Sequence, residues 1–222
     1  ENRTKEAKET TKELLDIFDE NYNFIGTCEK NKAHQEGKWH QTFNCLLIDS
    51  FNNKVYLQCK NSSHNDLSND NKLDLSVGGH LIAGETIEDG VREIKEEAGI
   101  NVRYDDLIYC GCRIINVEIN ENYAIREFNH VHLLDSLFEV EQLHSTDDEV
   151  LYFVEFDIDE LLTFIKRQKG TIKGKTPVGI KEFTINDFIE GYLEDNVYLN
   201  HLLLTKAYQA TGESVEWNQA LK

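Results

Sequence analysis

The stretch from Gly78 to Gly99, GGHLIAGETIEDGVREIKEEAG, constrains this chain more than any other. Each residue of an α-helix advances by about 100°. Val91, Ile94 and Ala98 therefore fall on one side, able to face a core, while Glu93, Glu96 and Glu97 gather on another. Gly99 is placed to end the helix in a left-handed conformation. Ahead of the helix, Gly78 and Gly79 let the backbone approach a ligand closely. The like charges at Glu93 and Glu97 oppose an exposed helix by a few tenths of a kcal/mol. Arg92 offsets part of that by bonding to a glutamate. A hard divalent cation offsets more, because Mg2+ and Mn2+ prefer oxygen ligands and commonly share their coordination with substrate phosphates. By spacing alone, the same glutamates also describe a solvated helix face.

Around this segment the sequence predicts a mixed sheet with helices and an α-helical tail. TKEAKETTKELLDIFD predicts an N-terminal helix within residues 1–19, with Leu14, Leu15, Ile17 and Phe18 as its apolar face. QTFNCLLID and KVYLQCK are strand-like runs joined by SFNN as a hairpin, and NSSHNDLSNDNK is a polar loop. LIYCGCRIINVEI, FNHVHLLDSLFEV and VLYFVEFDI are rich in β-branched and aromatic residues, as strands are, and DELLTFIKRQ has a helical pattern. A boundary is placed at KGTIKGKTPVG, which holds the only proline, Pro177. Beyond it Thr184 can cap a helix through INDFIEGYLED, and VYLNHLLLTKAYQ follows as another. Residues 169–222 thus read as a helical extension of a domain at 20–168.

Composition narrows the partners. The formal net charge of −18 repels nucleic-acid backbones and anionic membranes, both of which need Lys or Arg to neutralise phosphate. A small anionic substrate meets the same repulsion unless a bound cation reverses the local sign. No apolar run approaches the length of a membrane span, and the first residues lack an apolar leader core, so a cytoplasmic protein is expected. Five cysteines without CxxC spacing argue against a disulfide framework or a cysteine zinc site. Cys110 and Cys112 are expected on one face of a strand, as are His130 and His132, for which a metal is a further reading. Trp39, Tyr123 and Phe128 can stack on a ring or simply pack in the core.

Gly79, Glu85 and the run REIKEEAGI from Arg92 to Ile100 resemble the Nudix box: Gly, five residues, Glu, seven residues, then Arg-Glu-apolar-any-Glu-Glu-any-Gly-apolar. The ending matches at every specified position, but six residues rather than seven separate Glu85 from Arg92. Either the turn is tighter here or one residue is absent, the latter in keeping with a chain that contains no methionine. The resemblance covers roughly residues 20 to 168 and implies an α/β (α+β) fold, a Nudix-type α/β/α sandwich with a mixed sheet. It further implies a metal-dependent hydrolase of organic diphosphates. Glu93, Glu96 and Glu97 would bind Mg2+ or Mn2+, Arg92 would orient them, and Glu85 would be an additional or outer ligand.

Within that superfamily the chain looks most like the branch of isopentenyl-diphosphate isomerase, which holds a metal with three histidines and two acidic residues. His34, His40 and His80 lie where those histidines lie, with the first interval one residue shorter, and Asp147 and Glu149 resemble the acids. The isomerase also needs a cysteine where this chain has Gly78, which disfavours isomerisation. A non-catalytic binding module is a third reading, opposed by the intact glutamate set. The C-terminal helices are free to cover the cleft, form a homodimer interface or bind a partner.

Overall fold

The computed structural model describes residues 12–61 and 71–220. Its spine is the third strand, and the elements before it already depart from expectation. Leu14–Phe18 is a strand, β1, and not the end of a helix; the earlier part of that expected helix lies outside the described residues. Apolar residues at 14, 15, 17 and 18 satisfy either period, and strand pairing decides between them. β1 pairs antiparallel with β2 (Phe24–Glu29) and with β3 (Trp39–Asp49), which buries Leu15 and Ile17 and leaves Leu14 exposed. A short helix, α1 (Lys30–Gln35), follows β2 and carries His34.

β4 (Lys54–Lys60) returns from β3 as the expected hairpin, followed by the short strands β5 (Leu73–Asp74) and β6 (Val77–His80). A 3-10 turn over Ile87–Gly90 takes up the short spacer and runs directly into α2 (Val91–Ala98). The paired strands β7 (Ile108–Asn120) and β8 (Tyr123–Asp135) come next, then β9 (Val150–Asp157) and α3 (Ile158–Arg167). Along one edge β3 pairs parallel with β8, and along the other it meets β1, β6 and β4 in turn, so the sheet is mixed. Gly111, at φ 91°, shifts the β7–β8 register between Tyr109 and Cys112. That bulge corrects the reading of the CGC pair: Cys110 enters the core while Cys112 sits opposite His130 on the other face.

The segment after residue 168 is not purely helical. β10 (Ile172–Thr176) and β11 (Gly179–Phe183) form a hairpin around Pro177 and extend the sheet, with Lys175 opposite Glu155 of β9. The strands are short and carry lysine and glycine, a composition that suits a sheet edge and hides the strand signal. Thr184 then caps a 3-10 turn, not an α-helix, before α4 (Glu190–Glu194), α5 (Val197–Thr211) and α6 (Trp217–Ala220). No helix among the described residues is long and apolar enough to cross a membrane.

Alternation along β3 produces a three-layer arrangement. Phe43, Cys45 and Leu47 point into a core shared with Ile94 and Ala98 of α2. Leu46 and Ile48 point the other way, into a core shared with α3 and α5 through Leu161, Phe164, Tyr198 and Leu202. Gly90 fixes the approach of α2: a Cβ there would lie 2.1 Å from a Phe43 ring carbon. We expect Gly90→Ala to lower unfolding stability by about 1–3 kcal/mol in urea titrations. An unchanged midpoint would show that α2 does not rest on Phe43.

Candidate functional site

α2 presents its glutamates as the spacing requires, and Gly99 ends it at φ 73°. Glu93 and Glu97 are buried, whereas the Glu96 side chain keeps 43% of its exposure and opens to solvent. Arg92 ties the group together. Its Nε and Nη2 donate to the two Glu85 oxygens at 2.7 Å each, and Nη1 donates to Glu93 at 2.6 Å and Glu96 at 3.2 Å. Nη2 also donates to the His80 carbonyl at 2.9 Å, fastening the helix to the glycine turn. Glu97 accepts from Gln58 Nε2 at 2.5 Å and from the Gly78 N–H at 3.3 Å. Gly79 leaves the space that the Glu93 carboxyl fills, since a Cβ there would lie 2.3 Å from it.

Glu85 sits behind Arg92 and not beside the other glutamates. Both its oxygens accept from Arg92, one also accepts from the Ile82 N–H at 2.6 Å, and it does not line the cavity beside the other glutamates. It positions Arg92, whose pKa it raises first by hydrogen bonding. Burial pushes the Glu93 carboxyl up to about 7 against the pull of Arg92, and burial with the Glu93 charge raises Glu97 well above the usual carboxylate range. Several carboxyls around one guanidinium make an oxygen-rich set, and a hard cation there would offset the burial and the mutual repulsion that keep protons on it.

A second cluster forms at the end of β3. The ligand-type atoms of His34, His40, His80 and Glu127 all lie within 4.8 Å of one another. The three histidines are those the sequence singles out. The acid is not: Glu127 stands directly opposite His40 in the parallel β3–β8 register, a pairing between strands far apart in sequence. Asp147 is exposed and bonded within its own turn, to Ser145 and to the Glu149 N–H. Glu149 lies at the rim of the cavity near Glu93, so it belongs with the glutamate cluster and not with the histidines. His40 Nε2 and His80 Nε2 are buried without a hydrogen-bond partner and face Glu127 at 3.4 and 3.7 Å. Burial holds His80 down at about 3 and lowers His34. Burial raises Glu127, but His40, His80 and His34 together outweigh it and hold that carboxyl below its ordinary value. Imidazoles with orphaned nitrogens beside a carboxylate fit a cation.

His130 and His132 do share a face, yet each imidazole is occupied: His130 by Tyr109 at 3.1 Å and Gln41 at 2.9 Å, His132 by Tyr104 at 2.9 Å and the Asn44 carbonyl at 3.1 Å. They form a structural network. Tyr123 stacks on His34 at 5.1 Å, and Trp39 packs on Phe128 at 4.9 Å. The glutamates and Glu127 line one cavity of about 530 Å3, which Tyr192 of α4 also lines. Of the three roles open to the C-terminal helices, covering the cleft is the one this geometry supports.

No protein-family model matches the chain. A protein of Clostridium acetobutylicum named as a Nudix hydrolase is 37% identical over 153 residues, which cover 69% of this chain and 74% of that one. Among solved structures, DR0079 of Deinococcus radiodurans matches 71% of this chain and 91% of its own at 21% identity, with a TM-score of 0.49. A MutT protein of Methanosarcina mazei matches 56% and 81% at 20% identity, with a TM-score of 0.43.

The charge states above carry a consequence for stability. Burial lowers the pKa of His34, His80, His130, His132 and His201, so near pH 6.5 these take up protons only when unfolded, and their contribution to stability rises with pH. Glu93 acts in the opposite sense: it is ionised when unfolded but partly protonated when folded, so its contribution is lost as pH rises through about 7. In chelator, the melting temperature of the wild type relative to Glu93→Gln should fall by roughly 2 °C between pH 6.5 and 8, and Mg2+ or Mn2+ should remove that fall. A flat difference in chelator would contradict these charge states.

Proposed function

This chain belongs to the Nudix hydrolase family, and on that premise we propose that it cleaves the phosphoanhydride bond of a small organic diphosphate with Mg2+ or Mn2+ held by Glu93, Glu96 and Glu97. The observation that carries the reading is the buried carboxylate pair Glu93 and Glu97, packed against Gly78 and Gly79 at the wall of a cavity large enough for a substrate. A divalent cation in this set supplies charge neutralisation of the diphosphate and an activated water. The protein's own residues do the rest. Arg92 holds Glu93 and Glu96 in place through charge-assisted bonds, and Glu85 holds Arg92. Gln58 and the Gly78 N–H fix one Glu97 oxygen. Glu96, the most open of the three, faces the approach of solvent.

The histidine cluster supports a likeness to the isopentenyl-diphosphate isomerase branch, with Glu127 as the acid. Its nitrogen-rich donor set suits a transition-metal ion better than Mg2+. Isomerisation itself still lacks a participant. Position 78 is glycine, no cysteine lines the cavity among the described residues, and Cys45, paired with Val77 nearby, is buried with its thiol pKa pushed far up by burial. The net charge of −18 favours a small-molecule substrate over nucleic acid or an anionic membrane surface.

The test is a panel of diphosphates, isopentenyl diphosphate included, incubated with Mg2+ or Mn2+ while phosphate release and rearranged isoprenoid are followed together. We expect phosphate release that Glu96→Gln abolishes and Arg92→Lys reduces by about 10- to 100-fold, the usual effect of removing a residue that orients ligands. Rearranged isoprenoid without phosphate release would overturn the hydrolase.

A further inference from the structure

Away from the glutamates, the same cavity carries polar groups that the protein leaves unanswered. The β-sheet register aligns them. Arg113 on β7 stands opposite Asn129 on β8, Asn129 opposite Thr42 on β3, and Thr42 opposite His80 on β6. Asn44, two residues along β3, faces the same side and lies opposite Gly78. All of these residues line the cavity.

The two asparagines are 94–95% buried, and the side-chain oxygen of each has no hydrogen-bond partner. Their orientation is fixed by chemistry. His201 Nδ1 lies 2.7 Å from the Val197 carbonyl and must donate to it, which leaves Nε2 as an acceptor for the Asn44 amide N–H at 3.0 Å. Thr42 donates its hydroxyl to Glu127 at 3.2 Å, so its oxygen accepts from the Asn129 amide N–H at 2.8 Å. Both amides therefore turn a bare carbonyl oxygen away from their neighbours. Such buried, unpaired acceptors are uncommon unless a water, an ion or a ligand answers them.

Arg113 complements them. The other cations of the cavity are paired: Lys30 with Glu13 at 3.2 Å, Lys60 with Asp74 at 3.2 Å, and Arg92 with its glutamates. The Arg113 side chain has no hydrogen bond or ion pair among the described residues; its guanidinium lies over the Trp217 ring of α6, 5.9 Å from the ring centre. Burial lowers its pKa against the opposing influence of Tyr192, Glu127 and Asp195, none of which is hydrogen-bonded to it. A partly buried guanidinium over an aromatic ring, lining one cavity with two bare amide oxygens, is a recognition set for an anion next to hydrogen-bond donors.

We infer that Arg113, Asn129 and Asn44 form a subsite for the organic end of the substrate, and that this end carries a second anionic group beside hydroxyls, as a phosphorylated sugar or polyol does. Arg113 takes the anion and the asparagine oxygens take the hydroxyls. An isoprenyl chain would satisfy none of the three. That the ligand is the substrate rests on the hydrolase reading; the recognition set does not.

The two are separated by measuring binding without metal. In chelator, titration calorimetry with ribose 5-phosphate should show saturable binding, tighter than that of inorganic phosphate. Arg113→Met should weaken it by about 10- to 100-fold, the worth of a charge-assisted bond. Its melting temperature should be unchanged or higher, because it removes a desolvated and unpaired charge. Arg113→Lys, which keeps the charge but not the fork, should fall between the two and serves if the methionine variant does not fold. Binding that Arg113→Met leaves unchanged, or that inorganic phosphate matches, would overturn the subsite. Turnover of 5-phosphoribosyl 1-diphosphate with Mg2+ is scored separately. Arg113-dependent binding without turnover retains the subsite and removes this hydrolase assignment, while turnover indifferent to Arg113 does the reverse.

Discussion

The guanidinium of Arg92 spends five hydrogen bonds on holding the glycine turn to the helix behind it, and the geometry of the site depends on that connection. It reaches back to the His80 carbonyl and Glu85, which belong to the turn, and forward to Glu93 and Glu96, which belong to the helix. Without a cation of this shape, the carboxylates on α2 would repel one another and the turn would have no reason to stay close. With it, Glu93 fits the space that Gly79 leaves and Glu97 reaches Gln58 and the Gly78 N–H. Arginine suits the task because its donors lie in one rigid plane and can serve several carboxylates together.

The sheet does the remaining positioning. β3 is paired along both edges, and its alternation separates two kinds of work. One face carries Phe43, Cys45 and Leu47 into the core that supports α2. The opposite face carries His40, Thr42 and Asn44, which meet Glu127, Asn129 and Arg113 across the neighbouring strands. The glutamates come around the edge through β6, so the helix and the polar strip face one cavity although they start from opposite sides of the sheet. Tyr192 contributes to the same cavity from the C-terminal helices, whose α5 also fixes Asn44 through His201. The helical tail is therefore part of the site's wall.

What could be read in the sequence follows from what is local. Helix α2, its left-handed Gly99 and the burial of Ile94 and Ala98 depend on spacings within one turn or two, and they were legible. Leu14–Phe18 was not, because five residues of mixed apolar character fit a helix or a strand until pairing with β2 and β3 selects one. The β10–β11 hairpin was hidden by glycine and lysine at a sheet edge. The histidines at 34, 40 and 80 were legible by type and position, but Glu127 was not, since only the parallel register places it opposite His40. Asp147 and Glu149 looked equally good as acids in one dimension and lie elsewhere in three. Arg113 and the two asparagines carry no motif at all; their role depends on partners they lack, which no sequence displays.

The central claim is that the buried carboxylates of α2 hold a divalent cation against the diphosphate. The most direct measurement is anomalous diffraction at the manganese edge from crystals grown with MnCl2 and methylene diphosphonate. The account predicts a peak bounded by Glu93, Glu96 and Glu97, with a phosphonate oxygen on its far side. Manganese confined to the histidine cluster, with the diphosphonate bound and no metal at the glutamates, would contradict it.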